Sequence, residues 1–430
     1  ASVLLCDDEK TYRFIEAMIT SITGSLRSKR IHVGMDEAMD LGLGRFLQQH
    51  GYENGFSIIR RHLNRVMEIL RRHGLHPMMW SDMYFRLASK TGDYYDLEGQ
   101  VPKEVIETAP KDMDLVYWDY YHEDEGFYEE YIKRHKEFPG RVVFAGGLWS
   151  WSTMVIHNGH ALRTSIPALK QCRKQGVDEV YATIWGDDGA ECAQMSSLLG
   201  LQLYAEYTFS SDVSMELLKD RFAACTGEDM DAFLALSRMD VLEEAPAGDP
   251  LPPDESYATR ELLYNDVLLD LYGKNYENRN LREHYQELSG KLKAYGEKSP
   301  GCREIFAAAS LLADFMTDKC GISSQLRKAY EAGDRKTLKE LADVTLPALI
   351  RKVEALRAAW REQWFAYNKP FGFELLDIRF GGIAARLETA AVRIREYLNG
   401  DTDRIEELEA ERLPMDSVYA WANMLSGSTL

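Results

Sequence analysis

The stretch Arg30-Ile31-His32-Val33-Gly34-Met35-Asp36-Glu37 decides how the first half of the chain is read. A β-prone run ends abruptly in two adjacent carboxylates, as a parallel strand does when its C-terminal tip carries chemistry. Four further β-rich runs follow, at 75–81, 114–120, 141–147 and 179–185. Amphipathic helical patterns lie between them. The clearest, at 57–73, places Ile58, Ile59, Leu63, Val66, Met67 and Leu70 on one stripe. Gly74, Gly140 and Gly176 stand where a helix ends and a strand is about to begin. Strand and helix alternating five times predict parallel βα units.

Neither GxGxxG nor a P-loop occurs, so dinucleotide and nucleotide folds lack their fingerprints. Polar and aromatic residues gather instead at the end of each run: Asp36 and Glu37, Trp80 to Asp82, Trp118 to Tyr120, Trp149 to Trp151, and Trp185 to Asp188. In a βα barrel those ends share the face where active sites are built. Five of the eight tryptophans fall there, a phase that scattered core tryptophans would not keep, which favours a barrel.

Five strands are too few to close such a barrel, and an open arc leaves two bare edges. The expectation is therefore the C-terminal part of a (β/α)8 TIM barrel over residues 1–207, its earlier strands supplied by a missing N-terminal segment of the same enzyme. Residues 208–430 are expected to form an α-helical C-terminal domain. Helices are predicted there at 211–224, 257–271, 280–297, 303–332, 335–367, 375–398 and 402–411. An acidic, Pro-rich loop interrupts them at 243–255, and the Gly381-Gly382 pair in 368–382 suggests close backbone approach.

Composition removes several function classes. The 430 residues carry 51 Lys+Arg against 69 Asp+Glu, a net charge of −18, which repels nucleic-acid phosphates. No apolar run approaches the roughly 20 residues that span a bilayer, so no membrane partner is expected. The opening ASVLLCDDEK has no signal-peptide pattern. Cys6, Cys172, Cys192, Cys225, Cys302 and Cys320 form no CxxC pair and read as buried free thiols of a reducing compartment, pointing to the cytoplasm. His32, His76, His122 and His157 lack ligand spacing, so neither a metal nor another cofactor is expected.

Two carboxylates ending a buried strand are costly unless protonated or hydrogen-bonded, and such pairs tend to split into one acid and one ionised partner. The plainer reading makes Asp36 a helix cap and Glu37 a salt-bridge partner. The indoles tilt the balance, because flat rings bury the C–H faces of sugars while carboxylates bind the hydroxyls. Trp80, Trp118, Trp149 and Trp185 are the candidate walls. Asp187 is the candidate hydroxyl acceptor, with Asp119 and Asp82 behind it.

His32-x-Gly34-Met35-Asp36-Glu37 resembles the H-x-G-[GM]-D-E signature of glycoside hydrolase family 20, the β-N-acetylhexosaminidases. Met78-Met79-Trp80-Ser81-Asp82, Tyr117-Trp118-Asp119-Tyr120-Tyr121 and Trp185-Gly186-Asp187-Asp188-Gly189 resemble its bacterial exo-N-acetylglucosaminidase subgroup with a helical C-terminal domain. The resemblance implies that the five strands are about the fourth to eighth of the barrel, and that the reaction is substrate-assisted, retaining hydrolysis through an oxazolinium ion. Glu37 would be the general acid, Asp36 the ionised partner of the acetamido group, and Tyr120 the hydroxyl on its oxygen, with Tyr117 and Tyr121 as alternatives. Trp80, Trp118 and Trp185 would enclose the sugar, Trp149 would stand at the mouth, and Asp187 would bind outer hydroxyls. His32 would stand behind the pair or simply belong to the core.

Three other readings compete. A barrel glycosidase with a direct carboxylate nucleophile would use Asp82 or Asp187. A non-catalytic carbohydrate-binding subunit would keep the pocket without the acid pair, and a metal-dependent hydrolase lacks a ligand set. The expected partner is an oligosaccharide or glycoside ending in N-acetylglucosamine, with N-acetylgalactosamine open. The apolar stripes of the helical domain leave room for a homodimer.

Overall fold

The computed structural model describes residues 3–186, 189, 191–242 and 258–415. The chain divides into two compact units, Ala1–Gly147 with Thr164–Thr183, and Leu148–Arg163 with Ile184–Leu430. The change of composition near residue 207 does not coincide with this division. The helix Leu198–Phe209 already clusters with the helices that follow it.

The first unit is built on five parallel strands, β1 (Arg30–His32), β2 (His76–Trp80), β3 (Asp114–Trp118), β4 (Val142–Gly147) and β5 (Val180–Thr183), paired in sequence order. Every pairing is parallel, in registers such as Ile31 to Pro77 and Tyr117 to Phe144. The sheet is strongly curled. Five strands spaced about 4.8 Å apart would set the first and last nearly 20 Å apart if flat. Yet Arg30 on β1 reaches Glu179, just before β5, with N–O 2.7 Å, and the Tyr181 hydroxyl on β5 meets the Met78 sulfur on β2 at 3.4 Å. This is a half-barrel.

Arg30 and Arg141 alternate with Asp114 and Glu179 in a charged network at the N-terminal ends of the strands. The aromatic residues lie at the opposite ends, the usual division between a stabilising and a functional face.

The core between sheet and helices follows the predicted stripe. Ile58, Ile59, Leu63, Val66, Met67 and Leu70 are all buried on helix Gly55–Arg72, which Asn54 caps by accepting the Phe56 N–H. The glycine at 140 answers to close approach, since a Cβ there would sit 1.9 Å from the Met113 carbonyl oxygen. Four cysteines are buried as expected, whereas Cys225 is exposed and Cys320 half-buried; all six are free thiols.

The second unit is helical among its described residues, with long helices Leu281–Gly296, Arg303–Glu331, Leu346–Tyr367 and Phe373–Asn399. Helix Met230–Leu236 was not predicted, and the segment expected as one helix over 335–367 contains a π-helical turn at Leu341–Thr345. Gly381 and Gly382 sit inside helix Phe373–Asn399, and a Cβ at Gly381 would meet nothing within 4 Å, so close approach does not explain that residue. The expected loop at 243–255 lies outside the described residues.

At the heart of this unit Glu191 is buried between Arg260, whose guanidinium it pairs, and Arg379 at 2.7 Å. The Tyr264 hydroxyl also donates to the carboxylate, and the Glu191 backbone carbonyl accepts the Trp360 indole N–H. No helix among the described residues is long and apolar enough to cross a membrane.

Candidate active site

The site starts where β1 stops being a strand. The Val33 N–H still bonds the Met78 carbonyl and the Gly34 carbonyl still accepts the Trp80 N–H. The backbone then turns left-handed at Gly34 (φ 73°), Met35 (φ 78°) and Glu37 (φ 46°). A non-glycine residue held at positive φ costs of order 1 kcal/mol or more and persists only where its surroundings impose it. The turn also breaks strand alternation, which would otherwise send the adjacent Asp36 and Glu37 to opposite faces.

What imposes the turn comes from β2. Asp82, directly after Ser81 at the strand end, accepts the Glu37 backbone N–H through Oδ2 at 2.9 Å. Its other oxygen is buried with no hydrogen-bond partner among the described residues. Burial pushes the Asp82 carboxyl up to about 6, and the nearby Asp36 charge adds to the shift against the bond from Glu37. The expected desolvation of a carboxylate therefore falls on Asp82. Asp36 and Glu37 themselves are exposed, and neither caps a helix, since the next one begins at Gly44 with Leu43 as its cap.

His32 packs on Trp80 with ring centroids 4.4 Å apart, and its Nδ1 accepts the Gly34 N–H at 3.1 Å. That bond places the ring proton on Nε2, and burial lowers the imidazole to about 4, so the ring is neutral. Trp118 stacks on Tyr120 at 5.3 Å and 29°. Tyr94 lies 5.5 Å from Trp118, and burial raises its hydroxyl to about 12, with the charges of Glu37 and Asp82 adding to it. Tyr94 is thus a member of the site that sequence reasoning missed. It belongs to the connection after helix Asp82–Ala88, where no strand-end signal marks it.

Of the sugar-binding candidates, Asp119 needs correction. Its side chain is fully buried, and both oxygens are taken by the Tyr117 hydroxyl (2.7 Å), His122 Nδ1 (2.8 Å) and the N–H groups of Tyr121 and His122. It shapes the turn carrying Tyr120 and has no face left for a sugar. Tyr117 leaves the set of alternatives for the same reason: it stacks on His135 in the core while its hydroxyl serves Asp119. Asp82 is equally unsuited to be a nucleophile, being buried and bonded to the peptide of Glu37.

The geometry of the first unit thus brings together His32, Asp36, Glu37, Trp80, Asp82, Tyr94, Trp118 and Tyr120. Trp149 and Trp185 belong to the second unit. Trp149 is buried there against Trp151 at 4.5 Å and His160 at 4.2 Å, away from the exposed position expected at a pocket mouth. Trp185 is exposed, and its carbonyl accepts the Ser150 hydroxyl. Asp187 lies outside the described residues. No group of three or more His, Cys, Asp or Glu among the described residues could hold a metal ion.

Residues 1–131 match the family model for the glycosyl hydrolase family 20 catalytic domain, and residues 231–425 match that for the Glycoside Hydrolase 20C C-terminal domain. Among curated proteins none matches the chain. The two models follow one another in the order of the half-barrel and the helical region, and together they span about three quarters of the sequence. The chain belongs to glycoside hydrolase family 20 and is a glycoside hydrolase of the β-hexosaminidase type, acting on glycosides of N-acetylhexosamines.

Proposed function

We propose that the chain carries the acid pair of a retaining exo-β-N-acetylhexosaminidase that removes terminal β-linked N-acetylglucosamine, with N-acetylgalactosamine as the alternative sugar. The observation that carries this reading is the left-handed turn after β1, which frees Asp36 and Glu37 from strand alternation beside Trp80 and Trp118. Glu37 protonates the leaving oxygen and then takes a proton from the attacking water. The carbonyl oxygen of the substrate's own acetamido group attacks the anomeric carbon as the glycosidic bond breaks, closing an oxazolinium ring. Asp36, ionised, accepts the acetamido N–H and balances the positive charge that develops. Tyr120, stacked on Trp118, supplies the hydroxyl to the acetamido oxygen. Trp80 and Trp118 enclose the sugar.

A thiazoline analogue of the oxazolinium tests the reading. It is expected to inhibit at least ~100-fold more tightly than N-acetylglucosamine, because it resembles the charged intermediate. Equal affinities would reject substrate assistance.

A further inference from the structure

We infer that Asp82 is a positioning residue for the general acid: it holds the peptide of Glu37 in its left-handed conformation and so aims the Glu37 carboxyl at the leaving oxygen. The inference rests on the proposed role of Glu37. Three observations carry it. Asp82 Oδ2 accepts the N–H of Glu37 itself at 2.9 Å, across 45 positions of sequence. Glu37 is a non-glycine residue at φ 46°, a conformation that needs an external restraint. Asp82 is in turn fixed at its own end, because it opens helix Asp82–Ala88 and its side chain is buried there.

Removing the carboxyl would leave the Glu37 N–H without its acceptor and free the peptide to leave its strained well. The side chain would remain a competent acid but spend less time in line with the leaving oxygen, and small misplacement of a reacting group is costly in rate. The effect must therefore follow how much the leaving group needs a proton. A purely structural role for Asp82 would slow all substrates alike.

The experiment compares the enzyme with its Asp82→Ala, Asp82→Asn and Glu37→Gln variants on aryl β-N-acetylglucosaminides of graded leaving-group pKa. Asp82→Ala is expected to lower kcat about 10- to 100-fold on poorly activated leaving groups, from the loss of a hydrogen bond to a charged acceptor. The loss should shrink on dinitrophenyl glycosides, with KM little changed. Asp82→Asn keeps an acceptor oxygen and is expected to recover most of the rate. A loss independent of the leaving group, or wild-type kinetics in Asp82→Ala, overturns the inference.

Should the alanine variant not fold, Asp82→Glu takes its place. It keeps a carboxyl but displaces the acceptor by a methylene, and the same leaving-group dependence is expected at smaller size; wild-type kinetics there overturn the inference equally. Glu37→Gln separates the two claims. If its own loss does not depend on the leaving group, the acid assignment fails whatever Asp82 does.

Discussion

Two buried aspartates follow adjacent strands of the half-barrel, and they are built to opposite specifications. Asp119, after β3, is saturated: a tyrosine hydroxyl, an imidazole and two backbone N–H groups use both its oxygens. Asp82, after β2, accepts the Glu37 N–H on one oxygen, keeps the other buried without a partner among the described residues, and has its carboxyl pushed up to about 6 by burial. A saturated buried carboxylate is a rivet, because its desolvation is offset by its donors. An undersaturated one holding a strained residue beside an acid pair is a functional part, and such groups concentrate where chemistry is done. Position at a strand end does not distinguish the two. The census of donors does.

The sharpest way to test the comparison is at the acid itself. Glu37→Gln is expected to lower kcat about 10²- to 10⁴-fold on oligosaccharides, the usual worth of a positioned acid–base group. The loss should be much smaller on dinitrophenyl glycosides, whose departure needs little protonation. Equal losses on both would remove Glu37 from the role and leave Asp82 holding a residue of no special importance.

Asp119→Ala should behave differently in kind. It leaves the buried Tyr117 hydroxyl without its acceptor and removes the bonds to the part-exposed His122 ring and Tyr121 N–H. A buried unsatisfied group costs about 1–3 kcal/mol, so a loss of that size is expected in chemical denaturation. Any fall in kcat should be the same for good and poor leaving groups. A leaving-group dependence like that of Glu37→Gln would break the distinction between the two aspartates.

The sequence made one half of this comparison visible. The five strands were legible because each is a short apolar run closed by a polar or aromatic tip, and their observed spans fall inside the expected ones. The Asp36–Glu37 pair was legible as a motif, but its exposure and its turn were not, because positive φ at Met35 leaves no trace in residue type. Asp82 was seen only as a lesser hydroxyl acceptor or a nucleophile. Its bond to Glu37 depends on the pairing of β1 with β2, which local pattern does not encode. Asp119 looked like a sugar ligand because a carboxylate at a strand end is ambiguous until its donors are known. Tyr94 lay in a connection that the strand-end argument never reached. In the helical unit the pairing of Glu191 with Arg260 and Arg379 was unreadable for the same reason, since its members are 69 and 188 positions apart.

The smallest effect, and the finest test of strain at the turn, concerns two glycines. Gly34 has φ 73°, and its peptide is pinned on both sides, by His32 Nδ1 accepting its N–H and by its carbonyl accepting the Trp80 N–H. A Cβ there would meet nothing closer than Asp36 Oδ1 at 3.5 Å, an ordinary contact, so the cost of Gly34→Ala is conformational and not steric. About 1–2 kcal/mol is expected, with a few-fold fall in kcat as the displaced turn carries Asp36 and Glu37 with it. Gly381 is the control: it lies inside a helix with open space around its Cβ, so Gly381→Ala should leave kcat unchanged and stabilise by up to about 1 kcal/mol. If Gly34→Ala costs nothing in denaturation and leaves kcat intact, the turn relaxes without effect on the acid pair, and the restraint that Asp82 places on Glu37 loses its purpose.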